Sequence, residues 1–208
     1  MRSFLFTLAK INASIMNNIL DLINGSLGSQ VVDNISRQAG ASKEETQSVV
    51  SAALPALFGA LQRNASEGGA SGILNAINKK HDGSILDNLS GTLGADAEKD
   101  GNGILKHVLG GTQAPVQQAL SQKTGVSAAT VSKILALLAP IVMGYLGRET
   151  KSKSVNNDSA LTDMLGGLLG GGSGADILGG LLGGGGGKKG GGNLGSILGG
   201  LGSLLGKK

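Results

Sequence analysis

The sequence predicts an all-α protein. Its globular part is multihelical and built from two similar helical units, residues 19–61 and 104–146, followed by a Gly/Leu-rich low-complexity tail. Three observations carry this reading. Apolar residues in 17–147 recur at helical spacing, and no stretch alternates as a strand would. The chain matches itself without gaps at an offset of 85 residues. Of its 38 glycines among 208 residues, 17 fall in 1–150 and 21 in the last 58, where an ordinary chain carries about 7%. The expected division is an N-terminal extension outside the fold (1–16), a helical domain (17–148) and a linker with tail (149–208).

Arg2 and the apolar run Phe4–Ala9 are too short, and too interrupted by Thr7, for a secretory core of about 7–15 apolar residues. Met16 opens a segment whose apolar pattern starts cleanly, and it reads as an alternative start. The longest apolar run, Ile134–Leu146, holds Pro140 and Gly144 and falls short of the roughly 20 residues that a membrane span needs. No transmembrane segment is expected, and the default compartment is cytoplasmic. With no cysteine, a disulfide framework, a thiol nucleophile and a thiolate metal site are all excluded.

The offset of 85 pairs Ile19-Leu20 with Ile104-Leu105, Gly25 with Gly110, Val31 with Val116 and Ser36 with Ser121. It also pairs Gly40 with Gly125, Ser42 with Ser127, Pro55 with Pro140, Gly59 with Gly144 and Leu61 with Leu146. Repetition of this kind points to a repeated structural unit. In each unit a first helix, near 29–38 or 113–123, ends at Gly40 or Gly125, where a left-handed residue is cheapest as glycine. Ser42 or Ser127 then caps a second helix, near 43–61 or 128–146. Ser42 with Glu45 forms a capping box. The later halves of the second helices are apolar on nearly every face and should be buried all round. Pro55 and Pro140 predict a kink or fresh start, and Gly59 and Gly144 a close approach. Between the units, Gly72-Ile73-Leu74, Ser84-Ile85-Leu86 and Gly103-Ile104-Leu105 resemble short helix starts.

Four motifs invite a functional reading. Gly125–Leu135 (GVSAATVSKIL) resembles the helix-turn-helix of LacI-type repressors, which would turn Ser127, Thr130 and Lys133 toward a major groove. Against this, the matching positions of the first unit carry Glu44 and Glu45, and residues 1–150 hold 12 basic and 11 acidic side chains, without the basic excess that phosphate binding rests on. His81–Asp87 (HDGSILD) has the look of part of a calcium loop. Its register puts Lys80 and Leu89 where oxygen ligands belong, so an Asp-Gly turn with Ser84 capping a short helix is expected instead. His81 and His107 are not at ligand spacing and read as exposed or capping. Asp96, Glu98 and Asp100 read as solvated groups in a Gly/Asn-rich loop. No nucleophile elbow, phosphate loop or zinc site stands out, so neither catalysis nor a cofactor or metal is expected.

Lys151–Ala160 reads as a polar linker. Beyond it one phrase recurs, at Met164–Gly171, Ile177–Gly184 and Ile197–Leu201. Its Leu pairs would stripe one side of a helix and its glycines the other, at a cost of about 1 kcal/mol per internal Gly. Such phrases are marginal alone and need a partner. Residues 151–208 carry six Lys against Asp158, Asp163 and Asp176, which suits an acidic surface.

Met16–Gly40, Ala53–Leu61 (ALPALFGAL), His81–Asp87, Gly103–Gly111 (GNGILKHVLGG) and Leu138–Gly147 (LAPIVMGYLG) together resemble the bacterial DUF937 family, with its YidB-like relatives. The resemblance implies an all-helical bacterial domain and no particular activity. The expected function is a non-catalytic interaction or assembly protein, its tail serving self-association into a homo-oligomer or docking at an envelope or acidic surface. The alternative is a nucleic-acid-binding module through 113–135, although nucleic acid is not the expected partner.

Overall fold

A computed structural model describes residues 26–169 and 174–182. The chain runs α1 (Ser26–Ala39), α2 (Lys43–Asn64), α3 (Ala70–Lys80), the single turn α4 (Leu89–Thr92), α5 (Ala95–Leu109), α6 (Gln113–Thr124), α7 (Ala128–Ser152), α8 (Asp158–Leu168) and α9 (Gly174–Leu182). There is no strand among the described residues. Residues 1–16 and the third phrase, Ile197–Leu201, lie outside them.

Two corners organise the fold. Gly40, between α1 and α2, and Gly125, between α6 and α7, have φ of 69° and 74°, a region closed to most side chains. After each corner a serine caps the long helix. Ser42 Oγ accepts from Glu45 N at 3.1 Å while Ser42 N donates to Glu45 Oε2 at 2.9 Å. Ser127 Oγ accepts from Thr130 N at 3.1 Å. Helices α2 and α7 form the centre, and Phe58 and Tyr145 meet edge to face across them with centroids 6.2 Å apart. Ile35, Leu61, Leu105, Leu120, Ile134, Leu135 and Leu138 are fully buried around them, each worth about 1.5–3 kcal/mol relative to exposure. Helix α7 is long and apolar enough to cross a membrane by length and composition, and most of it is buried inside the domain.

The prolines depart from expectation. Pro55 and Pro140 lie inside continuous helices that neither stop nor restart. Proline has no N–H for the carbonyl four residues back, so Pro140 leaves the Ala136 carbonyl without its helical donor. That oxygen is where Gly101 of α5 makes its closest approach, and it occupies the space that a Cβ on Gly101 would take. The missing side chain on one helix and the missing donor on the other therefore meet at one point. The resulting backbone-to-backbone contact permits a weak Cα–H···O bond. It sits in the most extensive helix pairing of the fold, α5 on α7. Gly144 also permits close approach, with the Ile85 side chain in the place of its Cβ.

Helical structure continues past the expected boundary at 149. Helix α7 continues to Ser152 with Thr150 buried, and the first two Leu-Gly-Gly phrases are helices seated on the domain. Helix α8, capped by Asn157, packs on α2 and α3, and α9 packs on α2 and α6. Leu161, Met164, Leu165 and Leu168 form the buried stripe of α8. Four buried side chains at about 1.5–3 kcal/mol each outweigh the two glycines at about 1 kcal/mol each. The partner these phrases need is the domain itself.

Candidate functional site: a cleft between α3 and α5

Helices α3 and α5 run antiparallel and leave between them a cleft of about 830 Å³, within the roughly 300–1,000 Å³ of small-molecule sites. Its floor is apolar, made by Ile73, Ile104, Val108 and Met143. The walls are low because they carry Gly72 and Ala76 on one side and Gly103 on the other; a Cβ at Gly72 or Gly103 would meet nothing within 4 Å. Asn64 and His107 stand at one end. Lys80, His81, Asp96, Lys99 and Asp100 stand at the other.

His81 is the buried polar group of this cleft. It closes α3, its N–H donating to the Ala76 and Ile77 carbonyls, and its side chain is 7% exposed. Its Nε2 lies 3.5 Å from Asp100 Oδ2. Burial pushes the imidazole below its ordinary value of 6.5; Asp100 opposes the shift and Lys80 adds to it. The neutral ring is therefore favoured. His107 is exposed, and its carbonyl accepts from Asn64 Nδ2 at 3.1 Å. His81 thus departs from the expected exposed or merely capping histidine: it is both buried and facing a carboxylate.

The Asp-Gly turn is a clasp on the end of α7. Gly83 has φ of 100° and, in place of the expected Ser84, is the N-cap of the short helix Ser84–Asp87, which has no side-chain cap bond because Ser84 is already its first residue. Asp82 Oδ1 accepts from Ser84 N at 3.1 Å and Oδ2 from Lys151 Nζ at 3.1 Å. Hydrogen bonds from the Ser84 hydroxyl and amide, then the Lys151 ammonium, hold the Asp82 carboxyl at about 2. Arg148 pairs with Asp87. The His81 carbonyl occupies the place of a Cβ on Gly147, so the clasp lies directly on the α7 backbone. Among the described residues no three His, Asp or Glu side chains are gathered to hold a metal.

Sequence reasoning missed the polar end of the cleft. The run Asp96–Asp100, read as loop, forms the first turns of α5, and Gly103 lies within that helix rather than at its start. Gly101, Asn102 and Gly103 in succession favour a loop by local propensity. The spacing of Asp96, Lys99, Asp100, Gly103 and His107 was nonetheless that of one helical face. Ser127 and Lys133 are exposed at the start of α7, with Thr130 half-buried against the cap. From Ile134 to Gly147 the helix is enclosed but for half-buried Tyr145, so at its N-terminal end only the first six residues could enter a groove.

Helix corners closed by glycine, a central pair of buried helices and a polar-ended cleft define a multihelical all-α domain with a binding-sized cleft. A family model described as "Bacterial protein of unknown function (DUF937)" matches residues 21–149, and the chain belongs to that family. Helices α8 and α9 follow the matched span. No curated protein and no solved structure matches the chain.

Proposed function

We propose that this chain is a non-catalytic interaction or assembly protein, with the helical domain as scaffold and the Leu-Gly-Gly phrases as docking elements. The paired corners at Gly40 and Gly125 support reading the scaffold as a duplicated unit. One observation carries the functional reading: the described parts of two phrases are helical and lie against the scaffold, with Met164, Leu165 and Leu168 buried in one and Leu178 in the other. The remaining phrase serves self-association or docking at an acidic surface. The test compares the full chain with a chain ending at Gly187, which keeps α9. Loss of self-association in sedimentation, or of co-pelleting with anionic vesicles, is expected. Equal behaviour of the two chains in both assays refutes the reading.

A second reading, nucleic-acid binding through residues 113–135, is favoured by the exposure of Ser127 and Lys133 at the start of a capped helix. A salt-dependent shift of duplex DNA that is lost in Lys133→Glu would support it. No binding at low salt refutes it.

A further inference from the structure

We infer that the third phrase, Ile197–Leu201, docks in the cleft between α3 and α5 of its own chain. This rests on the reading of the phrases as docking elements and names the receptor of the last one.

The sequence supplies the first support. Residues 197–201 repeat residues 177–181 letter for letter, as Ile-Leu-Gly-Gly-Leu. The earlier copy lies on α2 and α6, with Leu178 2% exposed. The surfaces used by the first two phrases are occupied by α8 and α9. The cleft offers a third: an apolar floor of Ile73, Ile104, Val108 and Met143 between walls whose Gly72 and Gly103 present no side chain. Leucine pairs can reach that floor, and glycines let the two backbones come close.

Reach selects the chain's own cleft. Leu182 lies beside Pro115 and Gln118 at the start of α6. Pro115 is eight residues beyond His107, across the non-helical corner at Gly110 (φ 52°), so even a fully extended chain keeps the His107 end of the cleft within about 29 Å of Pro115. The spacer Gly183–Asn193 (GGGGGKKGGGN) spans up to about 36 Å extended and about 18 Å as a Gly-rich coil. A tether of that kind gives a millimolar effective concentration, about a thousandfold above a micromolar solution of chains. The chain's own phrase therefore fills the cleft ahead of a neighbour's, and assembly through this phrase proceeds by exchanging it between copies.

The chain has no native cysteine, which makes the test direct. Full-length protein carrying Ala76→Cys in the cleft and Leu201→Cys in the phrase is oxidised mildly at micromolar concentration. It is compared with Lys133→Cys plus Leu201→Cys, where Lys133 is exposed at the start of α7. The expected result is an intrachain disulfide forming at least about tenfold faster at Ala76 than at Lys133, since the tether is common to both variants and a docking preference of about 1.4 kcal/mol gives that ratio. Gly103→Leu, which fills the cleft, should remove the preference. Equal rates at the two positions overturn the inference. So does a disulfide that joins only different chains, which would give the cleft to a second copy, and so does a preference that survives Gly103→Leu. Loss of assembly on truncation at Gly187 without preferential cross-linking would leave the proposed function standing and remove this inference; the converse pair of results would do the opposite.

Discussion

Replacing Gly101 by alanine isolates the contact that fastens α5 to α7. In a free helix the change stabilises by about 1 kcal/mol. Here the new methyl group would overlap the Ala136 carbonyl oxygen, a backbone atom that no rotamer change can move away. Helix α5 must lift from α7, loosening Ala97, Leu105 and Val108, all buried. Inserting a methyl into a packed site costs about 1–3 kcal/mol, and a backbone obstacle sets the upper part of that range. The net expectation is a loss of about 1–2 kcal/mol, or about 2–8 °C in melting temperature for a domain of this size. Gly103→Ala, two residues along the same helix, is the internal control. Its Cβ meets nothing within 4 Å, so it should gain up to about 1 kcal/mol. Urea unfolding followed by far-UV circular dichroism reads both variants. If Gly101→Ala is as stable as the parent chain, or tracks Gly103→Ala, the interlock between Gly101 and Pro140 does not exist.

Acidification should weaken the fold in two separate windows. The folded His81 has a pKa below its ordinary 6.5, so the unfolded chain binds more protons below that pH. Its contribution is complete above 6.5 and lost as pH falls through the lower folded value. Asp82, held at about 2 against 3.8, contributes above 3.8 and loses that contribution toward pH 2. Urea midpoints against pH should lose the first slope in His81→Gln and the second in Asp82→Asn. Both long helices should lose their caps measurably: Ser127→Ala removes the Ser127 Oγ bonds to Thr130 N and Thr130 Oγ1, and Ser42→Ala removes the bond from Glu45 N while leaving the Ser42 amide with Glu45, each at about 1 kcal/mol. An unchanged urea midpoint in either variant would contradict the geometry. In the docked phrases, Leu165→Ala should cost about 2–5 kcal/mol in global unfolding. Leu178→Ala should release only the two turns of α9, seen as new protease cleavage with an almost unchanged urea midpoint.

Much of the frame was legible from local chemistry. Gly40 and Gly125 announced left-handed corners, and the serines two residues later announced caps, because both are decided by a few adjacent residues. The apolar runs of α2 and α7 announced central helices for the same reason. The tail was harder to read. Met164–Leu169 and Ile177–Leu182 look marginal when judged by glycine content, and they hold as helices because the domain supplies a surface for their leucines. The cleft was harder still. His81 and Asp100 are 19 residues apart, and only the antiparallel return of α5 beside α3 brings them to 3.5 Å.

The sequence by itself determined the two helix pairs α1–α2 and α6–α7 and where they are capped and turned. Those choices depend on backbone conformations and on side-chain bonds within four residues. The tertiary structure alone decided that Pro140 continues its helix, that its orphaned carbonyl faces Gly101, and that His81 is buried against a carboxylate. Each depends on what a second, distant helix brings, and burial changes both the cost of a missing donor and the charge state of an imidazole.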